Sequence, residues 1–222
     1  MRPRLAVFDV DGTLSDSQHH IHAAMGQSFA DQGLRAPDLG AVRQIVGLSL
    51  PLAVAQLAPE ASATQRDALV QGYKQSYFIA RSQDPAPLFP GAAEALRRLA
   101  KREGVVLGIA TGKSRRGIDA LLAQFGLSDL FVTVQAADDH PSKPHPAMLQ
   151  AALAEAGVEA GDAVMIGDTS FDIEMARAAG VTGIGVRWGY HSPEVLAEAG
   201  AAQLVDDFPA LEAALGAHWR LA

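Results

Sequence analysis

The sequence predicts an α/β fold: a parallel sheet covered on both faces by helices and interrupted once by a helical insertion. Three observations carry that expectation. Short β-rich runs recur, and most are unbroken apolar stretches rather than in-out alternations, as strands covered on both faces require. Helix-like stretches separate them, the pattern of a parallel sheet. One long segment, residues 16–86, lacks a convincing strand and breaks the rhythm.

The first strand is "LAVFDV" at 5–10. The insertion follows it directly and reads as helices: "SQHHIHAAMGQSFADQG", "LGAVRQIVG", "LPLAVAQLA" and "ATQRDALVQGYKQSYFIAR". The proline-rich "SQDPAPLFPG" is the return linker. "AAEALRRLAKREG" at 92–104 sets Leu96 and Leu99 on one face, charges on the other, and closes on glycine. "GVVLGIA" at 104–110 is the second strand, and "SRRGIDALLAQFG" at 114–126 the next helix. "LFVTVQ" at 130–135, "AVMIGD" at 163–168 and "VTGIGVRW" at 181–188 complete the strands. "HPAMLQAALAEAG" and "FDIEMARAAG" complete the helices. The expected organisation is a doubly wound, Rossmann-like core of residues 1–15 and 87–222, with a helical cap domain at 16–86.

Composition bounds the function. The 222 residues are 49% hydrophobic and 19% charged, enough for one large domain or a domain with an insertion. A net charge of -7 argues against nonspecific binding to nucleic acid or an anionic membrane. There is no cysteine, hence no disulfide framework and no thiolate metal site, which fits a cytoplasmic protein. The apolar stretch behind Arg2 and Arg4 stops at Asp9, too early for a signal-peptide core, and no apolar run is long enough to span a bilayer.

In open α/β sheets, ligands sit beyond the carboxyl ends of the strands. The reading of the strands puts Asp9 and Asp11, Thr111, Lys143 and Asp168 there, with Asp172 four residues after Asp168. Clustered carboxylates raise one another's pKa unless a cation is present. Mg²⁺ takes oxygen ligands and keeps waters that a phosphate can replace. A carboxylate left free can attack phosphorus, and a second can move the proton. Thr111 can donate to a phosphoryl oxygen, Gly112 lets backbone approach it, and Lys143 offsets the negative charge. The expected partner is a small-molecule phosphate ester, and the expected assembly a monomer or homodimer. Asp16 reads as structural and Lys113 as a surface lysine. His19 and His22 share a helical face but lack a third ligand of that type, so solvated side chains are expected. His145 is expected on a loop.

Four segments resemble the motifs of the haloacid dehalogenase-like phosphohydrolases, in that family's order: "DVDGT", "ATG", "KPHP" and "GDTSFD". The resemblance implies that Asp9 is the nucleophile and Asp11 the acid/base. It also implies Mg²⁺ held by Asp9, the Asp11 backbone carbonyl and Asp168, with Asp172 assisting the metal shell or orienting Lys143. The segment at 16–86 is similar to the family's small helical cap. Dehalogenase relatives lack the second acid, phosphonate-cleaving ones carry an early cap lysine, and sugar phosphomutases an arginine beyond the cap glycine; none of these is present here. The nearest branch is that of phosphoglycolate phosphatases, with Arg43 as a candidate contact for a substrate carboxylate. Other family members act on pyrophosphate, nucleotides or sugar phosphates. A phosphoacceptor signalling domain of the receiver type and a catalytically silent binding module are the rivals from other classes. The first is disfavoured by "DGT" and the late "GDTSFD", the second by the intact acids.

Overall fold

A computed structural model describes residues 2–220. Strands β1 (Arg4–Phe8), β2 (Val105–Ala110), β3 (Phe131–Gln135), β4 (Ala163–Gly167), β5 (Thr182–Val186) and β6 (Gln203–Val205) form one sheet in the order β3-β2-β1-β4-β5-β6. Every pairing is parallel. From β1 the chain builds outward through β2 and β3, then returns to the other side of β1 for β4, β5 and β6. The reversal lies between β1 and β4, where an open sheet leaves a crevice at its carboxyl edge.

Alternation along the strands feeds two cores. Ala6 and Phe8 of β1, with Val164 and Ile166 of β4, face helices α5 (Ala92–Ala100), α6 (Arg115–Phe125) and α10 (Phe208–Trp219). Leu5 and Val7, with Ala163 and Met165, face α7 (Ala147–Ala156) and α8 (Ser170–Ala178). Both sets are fully buried, which is why these strands read as unbroken apolar runs. Helix α9 (Pro193–Ala199) packs Leu196 and Ala199 against Ile173 of α8.

Helices α1 (Gln18–Asp31), α2 (Leu39–Arg43), α3 (Leu50–Leu57) and α4 (Ala63–Gln83) stand between β1 and α5 and have a hydrophobic cluster of their own. Ile21, Met25 and Phe29 of α1 meet Leu69 and Val70 of α4 there, and Tyr190 joins from the loop after β5. The two chain crossings into this insertion run side by side. Asp16 N donates to Pro87 O at 2.9 Å, and Phe89 N to Leu14 O at 2.9 Å.

Sequence and structure differ in places. The stretch expected to form a helix through Gly47 is helical only as α2, ending at Arg43. Beyond it, Ile45, Val46 and Leu48 are buried in turns. Strand β6 and helices α9 and α10 lie beyond the motif-bearing part and were not anticipated. β6 has three residues and only one buried side chain, too little for a periodic signal.

Candidate active site

The carboxyl ends of β1, β2 and β4 deliver the expected residues to one place. Asp9 follows β1 with 1% of its surface exposed, and Thr111 follows β2, equally buried. Asp168 follows β4, and Lys143, from the loop after β3, is buried beside them. Ligand atoms of Asp9, Asp168 and Asp172 lie within 4.8 Å of one another.

The turn after β1 makes this crowding possible. Ser15, Leu14 and Thr13 all direct backbone N–H groups to Val10 O, and Gly12 sits at its apex with φ +91°. A Cβ on Gly12 would stand 2.1 Å from Asp168 Oδ2, so only glycine lets the turn close over that acid. Thr13 Oγ1 then donates to Asp168 Oδ1 at 2.9 Å, and Tyr190 N to Oδ2 at 2.9 Å.

Lys143 is the counter-charge. Its Nζ lies 2.6 Å from Asp172 Oδ1 and 2.8 Å from Asp9 Oδ1. Asp172 Oδ2 accepts from Thr169 Oγ1 at 2.7 Å and Thr169 N at 3.1 Å. Both Asp172 oxygens are therefore engaged, which suits orienting Lys143 better than ligating metal. Asp9 is the opposite case. Its two oxygens are buried, and their closest charged neighbour is Lys143 Nζ at 2.8 Å from Oδ1. Burial pushes the Asp9 carboxyl up to about 7, with Lys143 pulling the other way. Burial, then Asp9 and Asp172, also raise Asp168 well above the usual carboxylate range. Burial disfavours the Lys143 charge, but Asp172 and Asp9 outweigh it and hold the ammonium above its ordinary range. Orphaned Asp9 oxygens facing Asp168 are a hard-oxygen donor set, the kind a divalent cation takes.

Asp11 is held differently. Its Oδ1 accepts from Ser17 Oγ at 2.6 Å and pairs with Lys113 Nζ at 2.9 Å. Lys113 corrects the reading of a surface lysine: its side chain is 8% exposed, and Nζ also donates to Tyr77 Oη of α4 at 3.1 Å. The signal available in sequence was only its place two residues after Thr111. Gly112, expected to face a phosphate, is constrained by the insertion as well: a Cβ there would meet Gly47 O at 2.6 Å and Leu48 O at 2.7 Å.

A cavity of about 500 Å³ opens onto this cluster, lined by Asp9, Asp11, Thr111, Gly112 and Lys113 on the sheet side and by α1, α4 and residues 45–51 on the other. Arg43 is not brought to it. The Arg43 guanidinium bonds Gln18 Oε1 instead, with Nε at 2.8 Å. His20 and His22 turn to the carbonyls of Asp84 and Pro37, and His19 and His145 are exposed. Asp16 accepts from Gln18 Nε2, a local turn contact. The loop carrying Trp188, Gly189 and Tyr190 was missed, although Trp188 Nε1 holds Thr13 O and Tyr190 holds Asp168. Nothing in a strand-end motif search flags a loop whose contribution is backbone and aromatic packing.

Among the described residues no helix is long and apolar enough to cross a membrane. Comparison with known proteins agrees with the geometry. The chain is 36% identical to the "Probable phosphatase IndB" of Dickeya dadantii, over 94% of this chain and 91% of that protein. It is 36% identical to a phosphoglycolate phosphatase of Rhodospirillum rubrum, over 96% and 91% of the two chains. The fold superposes on the crystal structure of a hydrolase from Pseudomonas syringae with a TM-score of 0.84 at 26% identity, covering 98% of this chain and 99% of that one. Residues 6–186 match the family model for haloacid dehalogenase-like hydrolases, and the chain belongs to that family.

Proposed function

We propose that this chain is a Mg²⁺-dependent phosphatase of small phosphorylated metabolites, working through an aspartyl-phosphate on Asp9. The observation that carries the reading is Asp9 itself, a buried carboxylate with two oxygens free of hydrogen bonds beside Lys143. An Asp9 oxygen attacks phosphorus as the bond from phosphorus to the departing alcohol breaks, and Asp11 gives that oxygen its proton. Asp11 then takes a proton from water as the water attacks phosphorus, releasing phosphate and restoring Asp9. Thr111 Oγ1 accepts from Lys113 N at 3.1 Å, which leaves its hydroxyl proton to donate to the phosphoryl group. Lys143 offsets the charge that builds there. Asp9, the Asp11 main-chain carbonyl and Asp168 would hold Mg²⁺, with Asp172 in support through Lys143. Bound there, the ion supplies charge neutralisation for the phosphoryl oxygens.

Residues 16–86 act as a cap that excludes bulk water and selects the ester. The net charge of -7 supports a small-molecule partner over a polyanion, and the setting we propose is the cytoplasm. The names of the relatives support phosphoglycolate as the first ester to assay. The test is metal removal: EDTA abolishes hydrolysis, Mg²⁺ restores it, and Ca²⁺ inhibits because its looser coordination misplaces the nucleophile. Full activity in metal-free buffer would sink the reading.

A further inference from the structure

The cavity lining carries charge that the chemistry above does not use. Arg81 in the last turn of α4 and Arg116 in the first turn of α6 both line it. Their guanidinium carbons lie 5.7 Å and 4.5 Å from the centre of the Phe78 ring. One arginine belongs to the insertion and the other to the sheet side, so the two halves of the cavity meet over one phenyl ring. Phe78 is 44% exposed, so this contact is open to solvent.

Neither guanidinium is held by a carboxylate, unlike the chain's three ion-paired arginines. Arg98, Arg115 and Arg187 pair with carboxylates at 2.6, 3.1 and 3.2 Å. Among the described residues Arg81 and Arg116 have no acidic partner. Asp138, the acid lining that side, accepts from the backbone N of Arg115 at 2.6 Å instead. Two cations drawn to one ring repel each other, and an anion placed between them would relieve that repulsion. The volume agrees. At roughly 30 Å³ per heavy atom, the share of a liquid water, a two-carbon phosphate ester fills only about half of the cavity.

Resting on the phosphatase reading, we propose that Arg81 and Arg116 form a second-anion subsite. The substrate is then a phosphate monoester longer than a two-carbon acid, with a carboxylate or a second phosphate at the end remote from Asp9. Met25, Tyr77 and Phe78 give its body an apolar wall. The guanidinium forks suit either anion.

The test is a homologous series of phosphorylated carboxylates, lengthened from phosphoglycolate one methylene at a time, beside the matching bisphosphates. p-Nitrophenyl phosphate serves as the uncharged-body reference. We expect kcat/KM to peak beyond the two-carbon acid. Arg81→Gln and Arg116→Gln should each raise KM for the best ester about tenfold more than for the reference, as loss of a charged hydrogen bond implies. Arg81→Lys and Arg116→Lys should recover part of it, which guards against misfolding. The series with the larger loss identifies the anion. Equal effects on charged and reference esters, or a peak at the two-carbon acid, would overturn the subsite while p-nitrophenyl phosphate turnover leaves the phosphatase reading standing. No turnover of any ester would overturn both.

Discussion

The two walls of the cavity are built on opposite principles. On the sheet side the polar groups packed around Asp9 have fixed partners: Lys143 bridges Asp9 and Asp172, Thr13 and Tyr190 hold Asp168, and Thr169 holds Asp172. Neither Asp9 oxygen has a hydrogen-bond partner among the described residues, although Oδ1 touches Lys143. On the helical side the lining is mostly apolar, with Arg81, Lys74 and the stacked Tyr73 and Tyr77 (5.6 Å between rings) among it. A wall of fixed charges suits a reaction whose geometry never varies. A wall of apolar and mobile-headed side chains suits recognition of whatever is attached to the reacting group. Lys113 is one of the points where they touch, joining Asp11 to Tyr77.

The largest effect should come from Asp9. Asp9→Asn should cut turnover by at least about 10³-fold, because an amide is a poor nucleophile, while the circular dichroism spectrum and melting temperature stay near those of the parent. A residual rate within tenfold of the parent would remove Asp9 from the covalent step and make the two walls more alike than they look.

The bridge between the walls comes next. Lys113→Met leaves Asp11 with Ser17 as its remaining hydrogen-bond partner and frees Tyr77. Alkyl phosphates need a proton on the departing oxygen, so their kcat should fall roughly ten- to hundredfold. With p-nitrophenyl phosphate the first step should survive, giving a burst of nitrophenolate before slow turnover. Tyr77→Phe should move both readouts the same way by less. A loss that ignores the leaving group would make Lys113 a packing residue only.

A third expectation concerns the fixed wall without its cation. Burial raises the Asp9 carboxyl in the folded chain from 3.8 to about 7. A raised carboxyl binds its proton more tightly folded than unfolded. Its contribution to stability is therefore greatest at low pH and is lost as pH rises from about 4 through 7. Metal-free protein should melt lower at pH 8 than at pH 5.5, and Mg²⁺ should raise the melting temperature more at pH 8. A metal-free melting temperature that climbs across that window would mean Lys143 already neutralises Asp9.

Legibility in the sequence follows the same division. The fixed wall was readable because its residues close buried strands, and a buried strand advertises itself: Leu5–Phe8 and Ala163–Gly167 cannot be anything exposed. Once the strand ends are located, Asp9, Thr111 and Asp168 converge by topology alone. Lys113 and the Trp188–Tyr190 loop were not readable, because their roles depend on contacts, side-chain for Lys113 and partly backbone for the loop, with segments remote in sequence. The helical wall was readable as helices but not as a lining. Periodicity says which face of α4 is buried, not which residues at its end turn toward a neighbouring helix, so Arg81 and Arg116 carried no signal.

Arg43 is the sharpest instance and should give the smallest effect. By motif position it is the insertion's candidate for meeting a substrate anion. In the fold it ends the short helix α2 with its guanidinium on Gln18 Oε1 at the base of α1, away from the cavity lining. That contact joins two insertion helices through a half-buried neutral acceptor, where a hydrogen bond contributes about 1 kcal/mol. Arg43→Ala should accordingly lower stability by about that much, read as a small shift in denaturant midpoint. KM for acid-bearing esters and for p-nitrophenyl phosphate should change together and by less than about threefold. A selective rise for the acid-bearing esters would show that Arg43 leaves Gln18 when substrate binds. The helical wall would then rearrange more than its packed cluster suggests, and anion recognition would shift from the end of α4 to the start of the insertion.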